Sequence, residues 1–147
     1  MVALLWFVFD RLTKLYFEEY GIDLLDAPGI EGVVELSLVH NFGAAWGSFS
    51  GAVVALIVVS VILCVLIAVY AFFASREASL LEMVGLALVF AGGIGNMVDR
   101  LIHGYVIDFI APVFIDFPTF NIADMGITCG TICVLVALAM RLFGKER

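Results

Sequence analysis

Leu80–Ile102 reads LLEMVGLALVFAGGIGNMVDRLI and is apolar until its last turns. A run of about 20 mostly apolar residues is long enough to span a bilayer. Its end carries Ala91, Gly92, Gly93 and Gly95, then Asn96, Asp99 and Arg100. The small residues permit close backbone approach to another helix. Asn96 and Asp99, three apart, are neighbours on a helix surface, whereas Asp99 and Arg100 point about 100° apart and need not pair with each other.

Working outward, a short Ser75–Ser79 turn precedes this run, and Gly51–Ala74 before it is nearly free of polar groups. Beyond it, Asp124–Phe143 is a further span. Val2–Tyr20 is a fourth, interrupted by Asp10, Arg11 and Lys14. The pattern predicts an all-α integral membrane protein with four transmembrane helices, one membrane domain over residues 1–147. The connecting segments Gly21–Ser50 and His103–Ala123 are more polar. Val33–Val39 alternates Glu35 and Ser37 with Val34, Leu36 and Leu38, a period-two strand signal. Tyr105–Phe120, rich in Val, Ile and Phe, is a second extended candidate.

Composition agrees: 64% of residues are hydrophobic and 14% charged, against about 25% charged in a soluble domain. The net charge of −7 argues against nucleic acid as a partner. Cys64, Cys129 and Cys133 all lie in apolar stretches and are read as packing residues. Cys129 and Cys133 share a helix face, but no His or carboxylate completes a metal set around them. The first apolar run has neither the basic start nor the cleavage motif of a secretory leader.

Lys and Arg in short loops set orientation. Arg76 lies in the short turn, and Arg141, Lys145 and Arg147 at the C-terminal end, whereas Gly21–Ser50 and His103–Ala123 hold neither Lys nor Arg. Both termini are therefore expected in the cytoplasm. The end of the third helix, the start of the fourth and the segment around Asn41 then meet at the outer face.

Charges within a span cost about 2.5–3.5 kcal/mol at a helix centre and are functional candidates by default. Asp10 and Lys14, four apart, read as a self-neutralising pair. Asp108, within Tyr105-Val106-Ile107-Asp108-Phe109-Ile110, is a carboxyl among apolar residues and should hold its proton more tightly than usual. Asn121 reads as an N-cap, with Asp124 three residues later at the positive end of the helix dipole. Two carboxylates meeting at one site can divide general acid and general base roles. Capping and interfacial solvation account for each acid taken singly, and helix-end chemistry leaves Asp99 and Asp108 both open as partner of Asp124.

The motifs make a choice. Asp10-Arg11-Leu12-Thr13-Lys14, Asn41-Phe42-Gly43-Ala44-Ala45-Trp46-Gly47, Gly92-Gly93-Ile94-Gly95-Asn96-Met97-Val98-Asp99-Arg100, Val106-Ile107-Asp108-Phe109 and Phe120-Asn121-Ile122-Ala123-Asp124 stand in order along the chain. Together they resemble the lipoprotein signal peptidase family, the bacterial signal peptidase II, an intramembrane aspartyl protease. Trp46 departs from the family's usual Phe. The resemblance implies that Asp108 and Asp124 are the catalytic pair. It implies that Asn41, Gly43, Asn96, Asp99, Arg100, Asn121, Ala123, Asp10 and Lys14 bind substrate or support the site. It also implies a small β-sheet cradle formed by Gly21–Ser50 outside the membrane, and no metal or organic cofactor. The expected substrates are prolipoproteins, cut just before a diacylglyceryl-modified cysteine. The expected setting is the lipid of the bacterial cytoplasmic membrane, with a monomeric enzyme blocked by globomycin-type peptides.

Other readings fit less well. Presenilin-like and prepilin peptidases place G-x-G-D at the second Asp, unlike Tyr105-Val106-Ile107-Asp108. A proton-coupled carrier calls for charges spread through the membrane's depth. A non-catalytic helical scaffold needs no Asn and Asp from five segments at one level. His40 and His103 are read as interfacial residues, and Asp116 as dispensable.

Overall fold

The computed structural model describes residues 1–21, 29–43, 48–49, 51–74 and 76–144. Asp23, Asp26, Pro28, Trp46, Lys145 and Arg147 lie outside the described residues. The elements are α1 (Val2–Tyr20), β1 (Val34–Asn41), α2 (Val53–Ala74), α3 (Leu80–Ile102), β2 (Val106–Pro112) and α4 (Ile122–Phe143). Two helix starts differ from the sequence reading. The second helix begins at Val53 rather than Gly51, because Gly51 adopts φ +86°, outside helical space. The fourth begins at Ile122 rather than Asp124, because Asn121 caps it and Asp124 is already its third residue.

The residues of α2, α3 and α4 make helices long and apolar enough to cross a membrane. α2 buries only Cys64. Many of its other side chains, such as Val54, Ile62, Leu66 and Phe72, face outward, an arrangement suited to lipid rather than water. The expected fourth span, α1, falls outside that class because Asp10, Arg11, Lys14, Glu18 and Glu19 interrupt it.

α3 is central and packs against α1, α2 and α4. Its small residues explain how closely α4 lies. A Cβ on Gly85 would sit 2.7 Å from the Gly130 carbonyl oxygen, and one on Gly130 2.6 Å from that of Gly85. A Cβ on Gly92 would sit 2.3 Å from the Ala123 oxygen. Backbone therefore touches backbone where apolar helices gain nothing from leaving water. Gly92→Ala is expected to force the two helices apart and cost about 1–3 kcal/mol, as overpacking does. A lowered melting temperature of the detergent-solubilised protein would register it.

At the far end of α3 the chain turns through Gly104, whose φ of +80° is left-handed, and returns as β2. β2 pairs antiparallel with β1, Val39 opposite Asp108 and Asn41 opposite Val106, with an irregularity between Leu36 and Val39. The cradle expected within Gly21–Ser50 is thus shared: its second strand comes from the other connecting segment and carries Asp108. Phe120 then bridges back to Ile110, with N–H···O distances of 2.9 and 3.0 Å. That bridge delivers Asn121 and the start of α4 beside β2. Phe17, Ile107, Phe109 and Ile122 form a core beneath, with the Phe17 and Phe109 rings stacked at 4.2 Å.

Candidate active site

Asp108 and Asp124 reach one place by different routes. Strand alternation puts Asp108 on the sheet face shared with Asn41. Asp124 stands in the first turn of α4, where a reciprocal capping box fixes it. The Asp124 N–H donates to Asn121 Oδ1 at 3.0 Å, and the Asn121 N–H donates to Asp124 Oδ2 at 3.2 Å. Both aspartates line a cavity of about 590 Å³, with Asn41, Asn96 and Arg100 at the same polar end. Much of the remaining wall is apolar, with Leu56 and Val59 of α2 and Ile127 of α4.

Three asparagine side chains bond the carboxylates, and their orientations are forced. Asn121 Oδ1 is committed to the Asp124 N–H, so its amide nitrogen donates to Asp108 Oδ1 at 2.6 Å and to Asn96 Oδ1 at 3.2 Å. Asn96 Oδ1 also accepts from Lys14 Nζ at 2.9 Å, so its nitrogen donates to Asp124 Oδ1 at 2.7 Å. Asn41 Oδ1 accepts from the Gly43 N–H at 3.0 Å, so its nitrogen donates to Asp108 Oδ2 at 2.9 Å. Each amide is turned by a group that can only donate. The two carboxyls are therefore linked through Asn121 and Asn96.

Asp108 is only 2% exposed. Burial, reinforced by the negative charge of Asp124, pushes its pKa up to about 7, against the opposing hydrogen bonds from Asn41 and Asn121. The apolar setting read from its neighbours thus has the expected consequence.

Asp10, Lys14 and Asp99 lie behind the site, all fully buried. Asp10 and Lys14 do pair, at 3.1 Å, but Lys14 also reaches Asp99 at 2.8 Å and Asn96. Asp10 accepts from the Ala123 N–H at 2.9 Å, one residue before Asp124, and Asp99 accepts from the Ile107 N–H at 3.4 Å, one residue before Asp108. Each buried acid therefore holds the backbone next to one candidate catalytic acid. Arg100 bonds the carbonyls of Gly43, at 2.8 Å, and Asn96, at 3.3 Å, and not Asp99. It ties the loop after Asn41 to α3.

Sequence reasoning misses Arg11 as a site-supporting residue: its guanidinium pairs with Asp99. Charge balance could have found it, since Lys14 alone cannot neutralise both Asp10 and Asp99. It misses Trp6 as well. The Trp6 Nε1–H donates to the Ile122 carbonyl at 3.0 Å, and Gly126 leaves room for the indole, since a Cβ there would lie 2.3 Å from Nε1. Nothing in the spacing of α1 signals that contact. Glu82, 1% exposed, accepts from the Tyr70 hydroxyl at 2.5 Å, far from the cavity. Asp116 is exposed.

Comparison with known proteins gives a consistent answer. The family model for signal peptidase (SPase) II matches residues 2–140. A lipoprotein signal peptidase of Latilactobacillus sakei is 38% identical over 96% of this chain and 93% of its own length. One from Staphylococcus aureus is 35% identical over 99% and 90%. A solved bacterial membrane enzyme superposes with a TM-score of 0.85 at 32% identity, covering 98% of this chain and 88% of its own. A second reaches 0.78 at 33% identity, over 93% and 89%. With a family match over nearly its whole length and relatives above 30% identity, the chain belongs to the signal peptidase II family of membrane proteases.

Proposed function

We propose that this protein removes the signal peptide from prolipoproteins by hydrolysing the amide bond just before a diacylglyceryl-modified cysteine, with Asp108 and Asp124 as its acid–base pair. The observation that carries the reading is the amide network joining two carboxyls at the polar end of an otherwise largely apolar cavity. Asp124 begins as the anion and Asp108 begins protonated, in keeping with a pKa near 7. Asp124 takes a proton from water as the water oxygen bonds to the scissile carbonyl carbon. Asp108 gives its proton to the carbonyl oxygen, forming a neutral tetrahedral diol. On collapse the C–N bond breaks, the proton held by Asp124 passes to the leaving nitrogen, and a diol proton returns to Asp108. Each carboxyl ends as it began, and no cofactor is needed.

The acyl chains would lie along the apolar wall and fix the scissile bond near the two acids, supplying orientation that a free peptide lacks. Globomycin-type peptides would compete for the same cavity. α1 serves as a fourth transmembrane helix, because Lys14, Arg11, Asp10 and Asp99 neutralise one another inside the bundle. Both termini then face the cytoplasm, with the site near the outer face of the bacterial cytoplasmic membrane, and the enzyme works as a monomer.

The test is cleavage of a purified prolipoprotein, with and without its diacylglyceryl group, followed by mass spectrometry. The lipidated form should be cut before the modified cysteine and the unlipidated form at least tenfold more slowly, the equivalent of about 1.4 kcal/mol of lost positioning. Equal rates, or cutting elsewhere, would refute the reading.

A further inference from the structure

The sheet face opposite Asn41 and Asp108 carries a cluster that the reaction above does not use. The Tyr105 hydroxyl donates to Glu18 Oε1 at 2.6 Å, and His40 Nε2 pairs with Glu18 Oε2 at 2.9 Å. The His40 ring stacks on Tyr105 at 4.2 Å, and His103 lies against the same ring at 5.5 Å. Glu18 stands in the last turn of α1, His40 on β1 and Tyr105 just before β2. One carboxylate thus ties both strands to one helix. β1 is also held by its ladder with β2, by the packing of Leu36 and Leu38 on the core and, just past its end, by Arg100 on Gly43, but among the described residues His40 is its only side chain hydrogen-bonded to a helix. The next residue on the strand is Asn41, which alternation sends to the other face, onto Asp108. A shift of β1 that breaks the Glu18 contacts would therefore also move Asn41.

On the strength of the dyad reading above, we propose that Glu18, His40 and Tyr105 form a positioning clamp that holds β1 so that Asn41 donates to Asp108. None of the three touches the cavity, so they act through Asn41 and not on substrate. Asn41 favours the Asp108 carboxylate, so loosening it should weaken that anion. The other charges acting on Asp108, those of Asp124, Lys14 and Arg100, would be left in place.

The experiment measures kcat, KM and the pH–rate profile on a lipidated prolipoprotein for Tyr105→Phe, Glu18→Ala, Glu18→Gln, Asn41→Ala and Tyr105→Phe/Asn41→Ala. Asp108→Asn serves as reference, and melting temperatures are followed in parallel. Tyr105→Phe keeps the ring stack and should lower kcat about five- to tenfold, the scale of one hydrogen bond, with KM and melting temperature nearly unchanged. The limb assigned to Asp108 should move to higher pH. Glu18→Ala should behave alike, and Glu18→Gln, which keeps an acceptor for Tyr105, should recover part of the rate. In the double variant the Tyr105 effect should vanish, because Asn41 is already gone. Full additivity, an unmoved pH limb, or a loss that tracks melting temperature would overturn the clamp. An active Asp108→Asn would instead refute the dyad reading, so the two failures are distinguishable.

Discussion

Asn in place of Asp108, or of Asp124, is expected to lower kcat by about 10²–10⁴-fold, the range that positioned acid–base groups contribute. KM should change little, since each substitution is nearly isosteric and leaves the apolar wall intact. Asp116→Asn, at an exposed position outside the cavity, should process normally. The two losses should not add in the double variant, because one proton relay is broken either way. A single variant with near-normal kcat would remove that residue from the chemistry. The wild-type profile should show activity falling as pH rises through about 7, where Asp108 loses the proton that the proposed reaction has it donate. Stability carries a matching sign. The folded state holds the Asp108 proton more tightly than the unfolded chain, so its contribution is full below the ordinary carboxylate range. It is lost as pH climbs to about 7. Asp108→Asn should therefore flatten the decline of melting temperature between about pH 4 and 7. An unchanged slope would mean that Asp108 is not the group titrating there.

How far the sequence reached depended on the kind of signal. α2 and α3 were legible because long apolar runs between polar segments admit few alternatives. Helix starts were misplaced only where a cap or a left-handed glycine sets the boundary, as at Gly51 and Asn121. The pairing of β1 with β2 was not legible. It joins residues about seventy positions apart, and period-two patterning shows that a strand exists without naming its partner. The choice between Asp99 and Asp108 was likewise closed to helix-end chemistry, since topology brings both, one ending α3 and the other on β2, to the level where α4 starts. Their surroundings in the fold differ. Asp99 spends its oxygens on Arg11, Lys14 and the Ile107 N–H, whereas Asp108 opens on the cavity. The clamp around Glu18 left no trace, because Glu18, His40 and Tyr105 come from three segments and match no motif.

Lys14→Met should be the most damaging substitution for folding itself. Lys14 Nζ is the only cation pairing with Asp10 among the described residues, and it also serves Asp99 and Asn96. Lys14, Asp10 and Asp99 are all fully buried, so removing the ammonium strands a carboxylate away from water. Breaking a buried pair from one side typically costs about 3–5 kcal/mol, a large share of the roughly 5–15 kcal/mol that holds a domain together. The exposed Arg141–Glu77 pair, at 3.3 Å, offers the contrast. Exposed pairs contribute about 0–1 kcal/mol, so Arg141→Met should melt close to the parent. Adding Asp10→Asn to Lys14→Met should restore part of the loss. The stranded charge is gone, the amide oxygen that replaces the carboxylate can still accept from the Ala123 N–H, and Asp99 keeps Arg11. Thermal unfolding of the three detergent-solubilised variants would decide it. If Lys14→Met melts with the parent, or if the double variant is worse than the single one, the buried cluster is not what fixes α1 against α3 and α4.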